Sequence, residues 1–399
     1  MEGRQDQDGA TGLQTDADRC GVGEARASAP LPGRHPTARP ELAQARLAEP
    51  ARRYYAALDL GTNNCRLLVA HPTRRGFKVK TSFSRIIRLG EGLSTSGRLS
   101  EDAIERTIDA LQVCAGKMRS LRVARAGMIA TEACRSASNA REFLSRARRE
   151  TGLDIKVISR ETEAKLAVAG CASLLDADSD LALVFDIGGG SSELIWLDLK
   201  RRRRWGRSLS ERLEVQSCIV AWTSLPVGVV TLAERFGCRS IDRTTFEAMV
   251  AHVAGLLAPF EAKLGLRERL SGVSAHLLGT SGTVTTLAGV HLGLPRYDRS
   301  KVDGCWLEAR QVRSVMANLL ALSFEDRAAL PCIGPTLAEF VLGGCAILEA
   351  MLRTWPCERL RVADRGLREG ILATLMAEDG LYGTDRRQST GHRPGHRPR

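Results

Sequence analysis

Between residues 54 and 380, apolar positions recur in two rhythms that replace one another along the chain. Short continuous apolar runs predict buried strands, and apolar spacings of three and four predict helices with one buried face. Residues 55–70 carry two apolar runs around Gly61-Thr62-Asn63-Asn64, the pattern of a hairpin with a tight turn. In 100–121, Ile104, Ile108 and Leu111 share a helical face, and Ser100 stands where an N-cap belongs. A strand over 123–130, a helix over 139–150, a strand over 153–158 and a helix from about 161 to 175 follow.

The rhythm then restarts. A buried strand over 181–185 ends in Asp186-Ile187-Gly188-Gly189-Gly190-Ser191, and 194–197 is its return. Phe246, Met249, Val250, Val253, Leu257 and Phe260 mark one face of a long helix. His276 to Leu278 form a short strand leading into Gly279-Thr280-Ser281-Gly282-Thr283. A helix over 337–352, a strand over 360–362 and a helix over 367–376 complete the pattern. Asp59-Leu60-Gly61 and Asp186-Ile187-Gly188 occupy the same place after a strand, and Leu67 and Leu194 begin the returns at equal offsets. The expectation is α/β, a duplicated domain with a cleft between the copies. Its parts are a first domain over 54–175 and a second over 180–365. The final helix, about 367–378, would pack back on the first.

Composition changes this picture at the ends. Residues 1–52 are rich in Gly, Pro, Ala and Arg and read as a disordered leader or an overextended start; 381–399 read as a disordered basic tail. No apolar run is long enough for a membrane span, and no signal-peptide core is present, so a cytoplasmic protein is expected. Eleven cysteines, none in a Cys-x-x-Cys pair, suit neither a disulfide framework nor a zinc knuckle. The net charge of +12 is concentrated: Lys200, the Arg residues at 201–204 and Arg207 form a run without an acid. That run is either a solvated loop or a contact for a polyanion, and charge alone does not choose.

A strand that ends in Asp and then glycines suits phosphate chemistry. Glycine lets backbone N–H groups approach phosphate oxygens, and the carboxylate can hold a divalent cation against them. Gly188, Gly189, Gly190 and Ser191 could also form a linker, but apolar strands flank them on both sides. Gly61, Thr62, Asn63 and Asn64 taken alone read equally as an ordinary turn. With Gly279, Thr280, Ser281, Gly282 and Thr283, three such loops argue for phosphate binding between two lobes.

These loops resemble those of the actin-like, ribonuclease H-like ATPase superfamily, and the whole resembles the exopolyphosphatase and guanosine-pentaphosphatase family. The resemblance runs through 58–66, Ala130-Thr131-Glu132-Ala133 with Arg135, 158–165, 184–194, Ser224-Leu225-Pro226-Val227-Gly228, 279–287 and Asp364-Arg365-Gly366-Leu367-Arg368-Glu369-Gly370. It implies two ribonuclease H-like domains and hydrolysis of terminal phosphate from polyphosphate or guanosine pentaphosphate with Mg2+. By resemblance, Glu163 in Glu163-Ala164-Lys165 is the general base, although Glu161 is indistinguishable from it on the residues alone. Asp186 and Glu193 match the metal positions; Arg66 and Arg135 match phosphate-directed arginines, Arg135 being also readable as an ion-pair partner. A homodimer is one possible assembly. The family commonly carries Arg-Ala-Asp where this chain reads Leu337-Ala338-Glu339, which puts ligand preference in question. A kinase of the same superfamily and an inactive alarmone-binding module are the rival readings.

Overall fold

Each of the two Asp-containing hairpins seeds a sheet. A computed structural model describes residues 53–73, 76–201 and 213–381. The expected leader, the tail beyond Leu381 and most of the basic run lie outside the described residues. Helices of eight or more residues are numbered below.

In the first sheet β1 (Tyr55–Leu60) pairs antiparallel with β2 (Asn64–Thr73), which pairs with β3 (Gly76–Ile86). After α1 (Glu101–Ser120) comes β4 (Arg125–Ala130), parallel to β1. After α2 (Ala140–Thr151) comes β5 (Lys156–Val157), and α3 (Arg160–Cys171) ends the first half. The order is β3-β2-β1-β4-β5. Ser100 caps α1 as its position predicts, accepting from the Ala103 N–H. The strand expected over 153–158 shortens to two exposed residues, because an edge position offers it one partner only.

The second half repeats the plan with β6 (Leu181–Ile187), β7 (Ser192–Asp198) and β8 (Ile219–Leu225), then α4 (Val229–Phe236) and α5 (Arg243–Leu264). It continues with β9 (Ala275–Gly279), α6 (Gly282–His291), β10 (Trp306–Glu308) and α7 (Ala309–Ala321), ending in α8 (Val341–Thr354), β11 (Arg359–Val362) and α9 (Leu367–Glu378). Its order, β10-β11-β9-β6-β7-β8, contains the first order again with one antiparallel strand added. Asp59 stands opposite Arg66 exactly as Asp186 stands opposite Glu193. Both turns close alike: Gly61 N–H donates to the Asn64 carbonyl and Gly188 N–H to the Ser191 carbonyl, each at 2.9 Å.

Strand alternation divides the core. Ala56, Leu58 and Leu60 face Ile104, Ile108 and Leu111 of α1, while Tyr55 and Ala57 face Leu372 and Met376 of α9. Leu183 and Phe185 face α5, α6 and α8; Ala182 and Val184 face Val168 and Cys171 of α3. Thus α3 packs on the second sheet and α9 on the first. The two helices touch at glycines: a Cβ on Gly170 would meet the Gly366 carbonyl oxygen at 1.8 Å, and one on Gly370 the Leu166 carbonyl oxygen at 2.0 Å.

The helix expected over 337–352 is broken. A short turn, Gly334–Ala338, ends before α8 begins at Val341, leaving Glu339 and Phe340 between them. The periodicity continues through the break, where Glu339 pairs with Arg88 of the first half. Among the described residues no helix is long and apolar enough to cross a membrane.

Candidate active site

The two hairpin turns meet. A Cβ on Gly189 would stand 3.3 Å from the Asn63 backbone nitrogen, and one on Gly190 only 2.9 Å from the Thr62 Oγ1. Side chains there would separate the halves, which is the physical demand behind two of the glycines. The turns enclose a cavity of about 140 Å3 together with the start of α6.

Of the residues predicted from sequence, Gly61, Thr62, Asn63, Asn64 and Arg66 line this cavity from the first half. Asp186, Gly188, Gly189, Gly190, Ser191 and Glu193 line it from the second, with Ser281, Gly282 and Thr283 from α6, and Glu163. Gly279 and Thr280 stand behind the lining: Gly279 packs on the Phe185 ring, and the Thr280 N–H donates to the Phe185 carbonyl at 2.9 Å. Ser281 caps α6 without a side-chain bond, and its buried Oγ has no protein partner. A hydroxyl and free backbone N–H groups at a helix start are suited to an anion.

Arg135 does not line the cavity. It donates to Glu132 at 2.8 and 3.0 Å, to the Ile158 carbonyl at 3.0 Å and to Glu163 at 2.7 Å. Glu132, held also by Arg160, anchors this arginine, which in turn orients Glu163. Glu161, the alternative on sequence, points outward and pairs with Lys165 at 2.7 Å on the exposed side of α3.

Electrostatically the cavity is overloaded with carboxylates. Burial, and next Glu193, push the Glu163 carboxyl up to about 9 against the pull of Arg135. Burial and Glu193 likewise raise Asp186 to about 7, opposed by Arg66. Glu193 is raised by burial, although its Oε1 accepts from Ser191 at 2.7 Å and Ser224 at 3.0 Å. Asp59, also raised by burial, lines the cavity and was missed as a site residue. Its signal was present, since it repeats the position of Asp186. Thr131, Glu132 and Leu337, which lie in stretches compared with the family, also line the cavity, as do Val229 and Phe340, which no local pattern marks.

Comparison with known proteins decides the family: the Ppx/GppA phosphatase family model matches residues 68–379. The chain belongs to that family. The Ppx/GppA match therefore covers all of the second sheet and most of the first. A relative in Aeromonas salmonicida named guanosine-5'-triphosphate,3'-diphosphate pyrophosphatase is 29% identical over 329 residues, covering 82% of this chain and 60% of its own length. The chain thus spans about 60% of the length of the curated relatives it matches. The Aquifex aeolicus Ppx/GppA structure is 28% identical with a TM-score of 0.65, covering 82% of this chain and 98% of that one. A Cytophaga hutchinsonii exopolyphosphatase, at 23% identity and a TM-score of 0.71 over 82% of this chain and 98% of its own, shares the fold. Both sheets therefore belong to the actin-like architecture of these Ppx/GppA structures.

Proposed function

We propose that this cleft removes the terminal phosphate of a phosphoanhydride chain by hydrolysis, inorganic polyphosphate being the first substrate. The observation that carries this reading is Glu163: a half-buried carboxyl in the first turn of α3, oriented by Arg135 and open to a cavity between two glycine-rich turns. The cavity lies between two glycine-rich turns and a helix start, a setting that suits an anionic chain end. With the negative charge that raises it offset by a cation held at Asp186 and Glu193, the ionised Glu163 takes a proton from a water aligned with the terminal phosphorus. The water oxygen bonds to phosphorus as the bridging P–O bond breaks, and the electron pair leaves with the shortened chain. Backbone N–H groups of the turns, Ser281 and Arg66 hold the phosphate oxygens in place.

The residues fit a divalent cation. Asp59, Asp186 and Glu193 place three carboxylates, Glu193 fully buried and the other two half-buried, against Arg66 as counter-charge, a surplus that a hard cation neutralises. Among the described residues no three His, Cys, Asp or Glu side chains form a closed cage. Mg2+ needs none, since it takes one or two carboxylates with water and phosphate oxygens. Asp186 and Glu193 would hold it, and when bound it supplies positive charge to the phosphates in the transition state.

Guanosine pentaphosphate is the second reading, favoured by the name of the Aeromonas relatives, guanosine-5'-triphosphate,3'-diphosphate pyrophosphatase. Phosphate release from long polyphosphate, tripolyphosphate, guanosine pentaphosphate and ATP, with Mg2+ and without an acceptor, tests both. Fastest release from polyphosphate supports the first and from guanosine pentaphosphate the second. Release from none rejects hydrolysis.

A further inference from the structure

The loop after β3 carries a cation to the mouth of the cleft. Ile87 and Arg88 both donate backbone N–H groups to the Asn63 carbonyl, at 2.9 and 3.1 Å, and Gly90 donates to the Thr62 carbonyl at 2.9 Å. The loop is therefore fastened to the turn that lines the cavity. Arg88 has φ +48°, a left-handed conformation that is costly for a residue with a Cβ. Its side chain reaches the second half, where Nη2 donates to Glu339 Oε2 at 2.6 Å. The guanidinium carbon lies 5.9 Å from the centre of the Phe340 ring, and both Phe340 and Asn63 line the cavity.

An ion pair of this exposure, 36% at Arg88 and 19% at Glu339, contributes little stability by itself. It is a weak return for a strained backbone. A guanidinium fork matches two phosphate oxygens as well as it matches a carboxylate. A bound chain longer than the cavity must leave it past the residues at its edge, and Arg88 stands beside two lining residues, Asn63 and Phe340. We propose that Arg88 is a further anion-binding position, taking the phosphates behind the one being cut, and that Glu339 occupies it when no substrate is bound. This rests on the cleft receiving a phosphoanhydride end. An incoming chain displaces the Glu339 carboxylate from Arg88 and so removes one link between the halves. The link from Glu234 to the Gly92 N–H and the Ser94 hydroxyl, at 3.0 and 2.5 Å, remains.

Arg88→Gln and Glu339→Gln break the same ion pair, yet the proposal gives them opposite effects. Equilibrium binding of tripolyphosphate to the full chain, measured by calorimetry without turnover, should weaken about 10-fold in Arg88→Gln, the loss of one charge-assisted contact. In Glu339→Gln it should tighten roughly 3-fold, because a weak internal competitor is gone. Orthophosphate, which fills only the terminal position, should bind both variants as it binds the unsubstituted chain. Changes of the same sign in both variants would make the pair structural and overturn the proposal, as would equal weakening of orthophosphate in Arg88→Gln. If the unsubstituted chain binds tripolyphosphate with these effects but releases no phosphate, hydrolysis fails and the anion position stands. If it binds no tripolyphosphate, the anion position falls.

Discussion

Glu161 and Glu163 are two residues apart on one helix, carry the same group, and differ only in direction. At i and i+2 on a helix they face about 200° apart, so the burial of one exposes the other. Glu161 meets Lys165 in solvent; Glu163 meets Arg135 inside. Glu163→Gln should therefore lower turnover about 100-fold or more, the range of a positioned general base, with little change in substrate affinity. Glu161→Gln should keep near-normal turnover. Steady-state phosphate release from both variants checks the assignment, and collapse in Glu161→Gln alone would reverse it. No residue-level rule separates this pair, because both satisfy the preference of acids for a first turn.

At the scale of elements, the exchange of α3 and α9 between the sheets joins the halves. Their approach depends on Gly170 and Gly370, where backbone rather than a movable side chain would oppose a Cβ. Gly370→Ala should destabilise the fold by at least about 2 kcal/mol, whereas Gly116→Ala, in open space on α1, should not. Urea denaturation of the two variants makes the comparison. A second test lies on β9. His276 is fully buried, stacked edge-on against Trp306, and burial holds its imidazole down at about 4. Its ordinary value is 6.5, so the unfolded chain binds the extra proton between those limits. The contribution to stability is complete above pH 6.5 and is lost as pH falls toward 4. Melting temperature should drop over that window more steeply for the native chain than for His276→Leu.

For the whole molecule, charge is the property that sequence describes well and structure only in part. Lys200 pairs with Asp180 and Arg201 with Asp198, while 202–212 fall outside the described residues. A long polyphosphate extending from the cleft would release a counterion at each basic contact it made. Neutralising residues 201–204 should raise the apparent KM for long chains and flatten its salt dependence, leaving tripolyphosphate little affected. Equal weakening of both substrates would assign the run to the cleft instead. Sequence by itself determined the α/β class, the duplicated Asp-aliphatic-Gly hairpins and most of the phosphate-facing turns, because these rest on periodicity and on backbone needs that act over a few residues. Asp59 was legible in that repeat and overlooked. Only the tertiary structure decided that Glu163 faces inward, that Arg135 bonds Glu163 and stands outside the cavity lining, and that helix 337–352 breaks at Glu339 and Phe340. Each depends on neighbours far along the chain, Arg135 beside Glu163 above all, and no local pattern encodes which distant charge a side chain will meet.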